Sequence, residues 1–196
     1  MRLNLAIAFL LSLLFVSVDA NVGTAAPANT SRHIAKIAAD PGAIPRPYYI
    51  EFRVAQIGAY GHSYVAYGRL NAQGQPIEWH YADLHPVGNY ALMAIGHIVP
   101  VPATAEWDAD VLKLPVSASY RRKLNSAEYK RLVLAIQRAR SADHTYWNAV
   151  TNNCNHFVGS LAKEIGLRSP STAQPSYTFV PELRELNGAS NSNDGT

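Results

Sequence analysis

Alternating apolar and polar positions predict that regular structure begins near residue 48. In PYYIEFRVAQIG every second residue is a large apolar one, which is the period of a half-buried β-strand. The glycine-containing turn GAYG ends this strand, and HSYVAYGRL predicts a second one because it is rich in aromatic and β-branched residues. NAQGQP predicts a turn, and IEWHYADL predicts a third strand. We therefore expect an antiparallel hairpin with a loop of several residues.

The pattern changes to a helical period in the second half of the chain. Asn125 and Glu128 have the spacing of a capping box, so a helix is expected to begin there and to end near Arg140. A second helix is expected to begin near Cys154. Gly166 predicts its end, because glycine readily adopts the left-handed conformation that closes a helix.

The remaining segments carry weaker patterns. Residues 86–110 are irregular, with glycine and proline as breaks and room for one or two short strands. VLKLPVS predicts a further strand, and residues 180–187 a short terminal helix. Strands and helices follow one another without a repeat, so the fold class is α+β, with an antiparallel β-sheet packed against helices.

The first twenty residues have a different character. MRLNLAIAFLLSLLFVSVDA has one positive charge, a long apolar run and a small residue at its end, which is typical of a secretory signal peptide. The apolar run is shorter than a membrane span requires. We expect residues 1–20 to be removed, with cleavage as late as residue 26, and the protein to be exported to a periplasmic or extracellular location. The predicted organisation is then a flexible lead-in over 21–46, a single domain over 47–187 and a disordered tail over 188–196.

Composition narrows the class of protein. About half of the chain is apolar (48%) and the formal net charge is only +3, which fits a globular domain. The basic residues are scattered and form no dense stripe, so a nucleic acid partner is not expected. No later segment is apolar enough for an integral membrane anchor, and nothing in the sequence indicates the oligomeric state.

The single cysteine is the most informative residue. An exported chain with only Cys154 cannot form an internal disulfide, so a free reactive thiol becomes a hypothesis to test. The N-terminus of a helix lowers the pKa of a cysteine through its unpaired N–H groups and its dipole. The same groups, here those of Asn153 and Cys154, are suited to hold the oxyanion of an acyl transfer.

A nucleophilic cysteine also needs a base, usually a histidine that is oriented by a third polar group. Among the seven histidines, His62 opens the second predicted strand directly after a glycine, and His80 lies on the third. Adjacent strands of one hairpin can bring two imidazoles together. His85 lies just beyond and is a weaker candidate. His156 is expected to point away from Cys154, because residues two apart on a helix face different sides.

The two segments GHSYVAYG and NNCNHFVGSLAKEIGL together resemble the circularly permuted papain-fold thiol enzymes. This group includes PPPDE-type isopeptidases, lecithin:retinol acyltransferase-like proteins and bacterial relatives of the NlpC-type hydrolases. The most specific feature is Asn-Cys-Asn-His-Phe at 153–157, and the second is a histidine that opens a strand ending in glycine, at 62–68. The resemblance covers roughly residues 48–167. The order of histidine before cysteine differs from papain itself.

The resemblance implies a circularly permuted papain-like fold and a set of roles. Cys154 would be the nucleophile, His62 its base and His80 the third residue, with Glu78 or His85 as alternatives. The implied function is that of an exported cysteine hydrolase (peptidase or amidase) or acyltransferase acting on an amide or ester. The expected substrate is a peptide, a peptidoglycan stem or a protein, and no cofactor or metal is expected.

Two other interpretations remain open. Cys154, His62 and His80 are also ligands that zinc accepts, although no close Cys-x-x-Cys or His-x-x-x-His pair supports a zinc site. Alternatively, an inactive papain-like domain would keep the fold and bind a peptide or cell-wall ligand through its aromatic-rich strands.

Overall fold

A computed structural model describes residues 45–88 and 90–188 of the 196-residue chain. The predicted signal peptide, nearly all of the predicted lead-in and the tail from residue 189 onward lie outside the described residues. Among the helices that are described, none is long and apolar enough to cross a membrane.

The main sheet is antiparallel. Its strands are β1 Tyr48–Ala55, β2 His62–Arg69, β3 His80–Ala82 and β6 Val116–Leu124, in the order β3-β2-β1-β6. β1 and β2 pair along their whole length, as the prediction of a hairpin requires. The expectation that the first strand is half-buried is wrong, because most residues on both faces of β1 are buried. β3 pairs with β2 over only three residues and is shorter than predicted.

The irregular stretch before the helices contributes two strands to a second, small antiparallel sheet, and the connection between the second and third helices contributes the other. Its strands are β4 His85–Pro86, β5 Val101–Thr104 and β7 Tyr146–Trp147, in the order β4-β5-β7. The expectation of one or two short strands in this stretch is confirmed. Helix α1, Tyr90–Ile95, was not predicted.

The strand predicted over VLKLPVS is displaced in the structure. Residues Val111–Lys113 form a single 3-10 turn, and β6 begins only after Pro115. Proline has no N–H to donate to a strand ladder, which favours a break at this position. β6 is an edge strand with mostly exposed or half-exposed residues, so its own sequence carries little of the apolar alternation on which the prediction relied.

Three further helices pack on the main sheet. They are α2 Ser126–Arg140, α3 Cys154–Glu164 and α4 Ser176–Gly188. The predicted capping box of α2 is present, since the Asn125 side chain accepts from the Glu128 N–H at 2.9 Å and Glu128 accepts from the Asn125 N–H at 2.8 Å. Gly166 has a φ of +83° just after α3, as expected. α4 begins earlier than predicted, at Ser176 rather than Val180.

The main core lies between the sheet and the helices. Fully buried side chains of β1 and β2 pack against apolar residues of α2, α3 and α4, among them Phe52, Val65, Leu132, Leu161 and Phe179. A smaller cluster with Tyr49 and Ala66 lies apart from this core. The architecture is α+β, with antiparallel sheets and packed helices. Because α3 packs against β2, the start of the cysteine helix is brought to the strand that His62 opens.

Candidate active site

Cys154 is the first residue of α3, and Asn153 is its N-cap. The Asn153 side chain accepts a hydrogen bond from the His156 N–H at 3.1 Å, and the Asn153 N–H donates to His156 Nδ1 at 3.3 Å. The backbone N–H of Asn153 is therefore engaged in the cap. Of the two expected oxyanion donors, Cys154 is the better placed, because its N–H lies in the first helical turn, where N–H groups have no intrahelical acceptor.

His156 has a structural role at this helix start. Its Nδ1 belongs to the capping box, and its Nε2 lies 2.9 Å from the Thr172 hydroxyl. Both ring nitrogens are thus committed to contacts with Asn153 and with the segment before α4. This agrees with the expectation that His156 does not serve the thiol.

His62 is held by a carboxylate that is not among the predicted site residues. Its Nε2 lies 2.7 Å from Asp83 Oδ2, and the Asp83 side chain is only 3% exposed. Because Nε2 is engaged in this way, Nδ1 is the ring nitrogen that remains for the thiol. Asp83 Oδ1 contacts His85 Nδ1 at 3.2 Å, so one buried carboxylate joins two imidazoles.

The expectation that His80 orients His62 is corrected by the structure. His80 pairs with Tyr67 in the strand register, five residues along β2 from His62, which corresponds to about 16 Å. Its Nε2 instead lies 2.7 Å from Glu78 Oε1, in a half-exposed pair. The two alternatives have other partners, since Glu78 lies beside His80 and His85 lies beside Asp83.

The sequence carries no clear signal for Asp83. It stands between the apolar residues Ala82 and Leu84, and a polar residue in such an alternating pattern normally faces solvent. In the structure Asp83 is itself buried, and a buried charge is seldom found without a partner. In this structure the partners are the imidazoles of His62 and His85.

The contacts of Cys154 and His62 shift the pKa of both groups. Burial alone would raise the pKa of the Cys154 thiol, but hydrogen bonding to His62, the positive charge of His62 and contacts with Ser63 lower it to about 6. Burial would lower the pKa of His62, but interactions with Asp83 and with the thiolate raise it to about 10. At neutral pH the pair is therefore a thiolate and an imidazolium.

Asp83 is ionised over the same range. Burial disfavours its charged form, but the hydrogen bonds and positive charges of His62 and His85 hold the pKa of the carboxyl below its ordinary value. A buried carboxylate next to His62 thus supports the imidazolium.

A buried polar cluster lies beside the thiol and consists of Ser63, Asn155 and Ser176, each at most 2% exposed. Asn155 Oδ1 accepts from the Ser63 hydroxyl at 2.8 Å and from the Ser176 hydroxyl at 2.9 Å. Asn155 Nδ2 donates to the Gln174 carbonyl at 2.7 Å. The Ser176 hydroxyl also lies 3.6 Å from Cys154 Sγ. This cluster fixes the start of α3 to β2 and to the start of α4.

The turn before His62 forms one side of the site. The Tyr60 carbonyl accepts from the Ser176 N–H at 2.7 Å, and the Tyr177 hydroxyl donates to the Gly58 carbonyl at 3.1 Å. Gly61 has a φ of +67°, and a Cβ at this position would lie 2.9 Å from a Val54 methyl group. Glycine is therefore required where the chain enters β2, and the turn is held against α4.

The zinc interpretation loses one of its ligands in this geometry, because His80 lies at the far end of β2. Among the described residues there is no group of three or more His, Cys, Asp or Glu side chains arranged to hold a metal ion.

No protein-family model matches the chain, and neither the curated proteins nor the solved structures give a significant match.

Proposed function

We propose that this protein is an exported thiol hydrolase or acyltransferase with a circularly permuted papain-like fold, acting on an amide or ester. Cys154 is the nucleophile, His62 is the acid and base, and Asp83 orients His62. The observation that carries this proposal is the buried Asp83–His62 hydrogen bond of 2.7 Å, next to a cysteine at the first position of a helix. A nucleophile, a base and a group that orients the base are the parts that acyl transfer requires.

In the first half of the reaction the Cys154 thiolate attacks the substrate carbonyl carbon. A C–S bond forms, and the carbonyl electron pair moves to oxygen, where the N–H of Cys154 and the positive end of α3 stabilise the negative charge. The intermediate then collapses and breaks the bond to the leaving nitrogen or oxygen. The His62 imidazolium gives its Nδ1 proton to that atom, leaving a thioester on Cys154 and a neutral imidazole.

In the second half His62 acts as a base. It takes a proton from water or from an acceptor nucleophile, which attacks the thioester carbonyl. The C–S bond breaks, the acyl group leaves as an acid or as a new ester or amide, and the thiolate–imidazolium pair is restored. Asp83 remains ionised throughout and keeps Nε2 occupied, so that Nδ1 faces the thiol.

The proposal of a permuted papain-like fold rests on the order and placement of the two motifs. The histidine strand precedes the cysteine helix in the chain, and α3 packs directly on β2. In this proposal Asp83 replaces His80 as the third residue. The substrate class stays that of the sequence analysis, namely a peptide, a peptidoglycan stem or a protein met after export.

The test is to trap the acyl-enzyme with p-nitrophenyl acetate, whose leaving group departs without a proton. Because Cys154 is the only cysteine, peptide mass spectrometry locates a thioester acetyl group without ambiguity. We expect rapid acetylation of Cys154 at pH 6.5, no thioester in Cys154→Ala and slower acetylation in His62→Ala. Acetylation of Cys154 no faster than in the urea-unfolded protein would contradict the proposal.

A further inference from the structure

A cavity of about 300 Å³ lies away from the thiol, on the β3 side of the main sheet. Aromatic side chains dominate its lining, with Tyr67, Trp79, Tyr81 and Trp107 contributing, and Arg140 and Glu106 are the charged groups beside them. This volume is at the lower end of the range for small-molecule sites, and such sites typically combine aromatic walls with a few polar groups. It is therefore large enough for a ligand of one or two rings.

The cavity is separate from the proposed active site. Tyr67 lies five residues along β2 from His62, so that the two sites are about 16 Å apart along the strand. Neither Cys154 nor His62 is among the lining residues. A ligand in this cavity would not touch the reacting atoms.

The walls of the cavity are held in place by the fold. The Arg140 guanidinium donates to the Tyr81 carbonyl at 2.8 Å and lies 3.3 Å from the Glu106 carboxylate. Gly68 allows the Glu78 carbonyl to approach β2 so closely that any Cβ there would clash with it. This close approach fixes the chain next to Trp79. The cavity is therefore already formed without a ligand, which reduces the entropic cost of binding.

The indole rings of Trp79 and Trp107 are unusually exposed for such large apolar groups. Trp79 is 54% exposed and Trp107 is 50% exposed, although both line the cavity. Tryptophan carries a large apolar area and a ring face of negative potential. Covering these faces with a ligand that presents C–H groups removes apolar area from water and is favourable.

The ionisable groups at the cavity already have partners. Arg140 lies beside Glu106, and His80 lies beside Glu78, so neither a free anion nor a free cation finds an unpaired opposite charge. A fitting ligand is uncharged, with apolar ring faces for the indoles and hydroxyl groups for the polar edge. We propose that this cavity binds a neutral saccharide ring, stacked on Trp79 and Trp107, with its hydroxyls bonded to Glu106 and His80.

Isothermal titration calorimetry of the full chain with cellotriose and with chitotriose tests this proposal. We expect saturable binding of at least one trisaccharide, weakened at least tenfold in Trp79→Ala and in Trp107→Ala. Ile77→Ala is the matched control, because Ile77 is also 54% exposed and lies close to Trp79 in the chain but does not line the cavity. Cys154→Ser should bind as the parent does, so that this result is independent of whether the thiol is catalytic.

Three outcomes would overturn the proposal. The first is no saturable binding of either trisaccharide to a folded parent protein. The second is binding that survives unchanged in both tryptophan variants. The third is saturable binding of tetramethylammonium without saccharide binding, which would identify the aromatic lining as a cation site instead.

Discussion

The sharpest test of the site is the substitution Asp83→Asn, which alters the contact between Asp83 and His62. The substitution keeps the size of the side chain but removes the negative charge that accepts the hydrogen bond from Nε2. Asp83 is only 3% exposed and lies 2.7 Å from Nε2. Water therefore cannot replace the lost interaction, and the imidazolium of His62 loses a partner that it has in the parent.

The size of the effect follows from that hydrogen bond. A hydrogen bond to a charged group contributes about 1.5–3 kcal/mol, and about 1.36 kcal/mol corresponds to one pH unit in a pKa. The pKa of His62 should thus fall by about one to two pH units from its value of about 10 in the parent. At pH 9.5 the imidazolium fraction should then drop by about an order of magnitude.

NMR of ¹³C-histidine-labelled protein measures the pKa of His62 without a substrate. The His62 signal is assigned by its loss in His62→Gln, and its titration midpoint is compared between the parent and Asp83→Asn. Glu78→Gln is the matched control, because it makes the same change in the exposed His80 pair and should leave the His62 midpoint where it is. Equal midpoints in the parent and in Asp83→Asn would refute the role of Asp83.

Three further predictions follow from the site. Asn155→Ala leaves two buried hydroxyls and one carbonyl without their partner, so the free energy of unfolding measured by urea denaturation should fall by about 2–4 kcal/mol. An unchanged denaturation midpoint would contradict the stabilising role of the buried polar cluster. Gly61→Ala should lower the free energy of unfolding by about 1 kcal/mol or more beyond the effect of Gly58→Ala. Both glycines have positive φ, but only at Gly61 does the added methyl group meet a side-chain carbon, at 2.9 Å. Equal thermal unfolding of the two variants would show that the contact is not tight. The kcat/KM for an acyl anilide should fall below pH 6, where the Cys154 thiolate is protonated, and above pH 10, where His62 loses its proton; a profile rising steadily through pH 8.5 would contradict the thiolate–imidazolium pair.

The sequence patterns predicted those parts of the fold that depend on interactions between residues close together in the chain. The β1 strand follows from the alternation of apolar and polar residues in the sequence, although β1 and β2 are buried on both faces. The start of α2 after Asn125 follows from its capping box. The position of β6 in the chain was predicted wrongly, because it depends on pairing with β1 at the sheet edge rather than on the side chains of β6 itself. α1 was missed because its six residues are too few to show a helical period.

The site was predictable only in part, for a similar reason. Cys154 and His62 each carry a local signal, namely a helix start and a strand start after glycine. The third residue depends on how far β3 extends beside β2, which sequence alone does not give. β3 ends at Ala82, so Asp83 is the residue at the His62 end of the sheet and His80 lies too far along it. Ser63 and Ser176 were missed because their shared acceptor, Asn155, joins elements distant in the chain.

The most direct test of the central claim is the pH dependence of iodoacetamide alkylation at Cys154, followed by mass spectrometry. The thiolate–imidazolium pair predicts a midpoint at about pH 6 and a shift to an alkaline midpoint in His62→Ala. An unperturbed cysteine would titrate near pH 8.5. A midpoint there in the parent, or alkylation that begins only when the protein unfolds, would contradict an activated thiol and with it the proposed acyl-transfer chemistry.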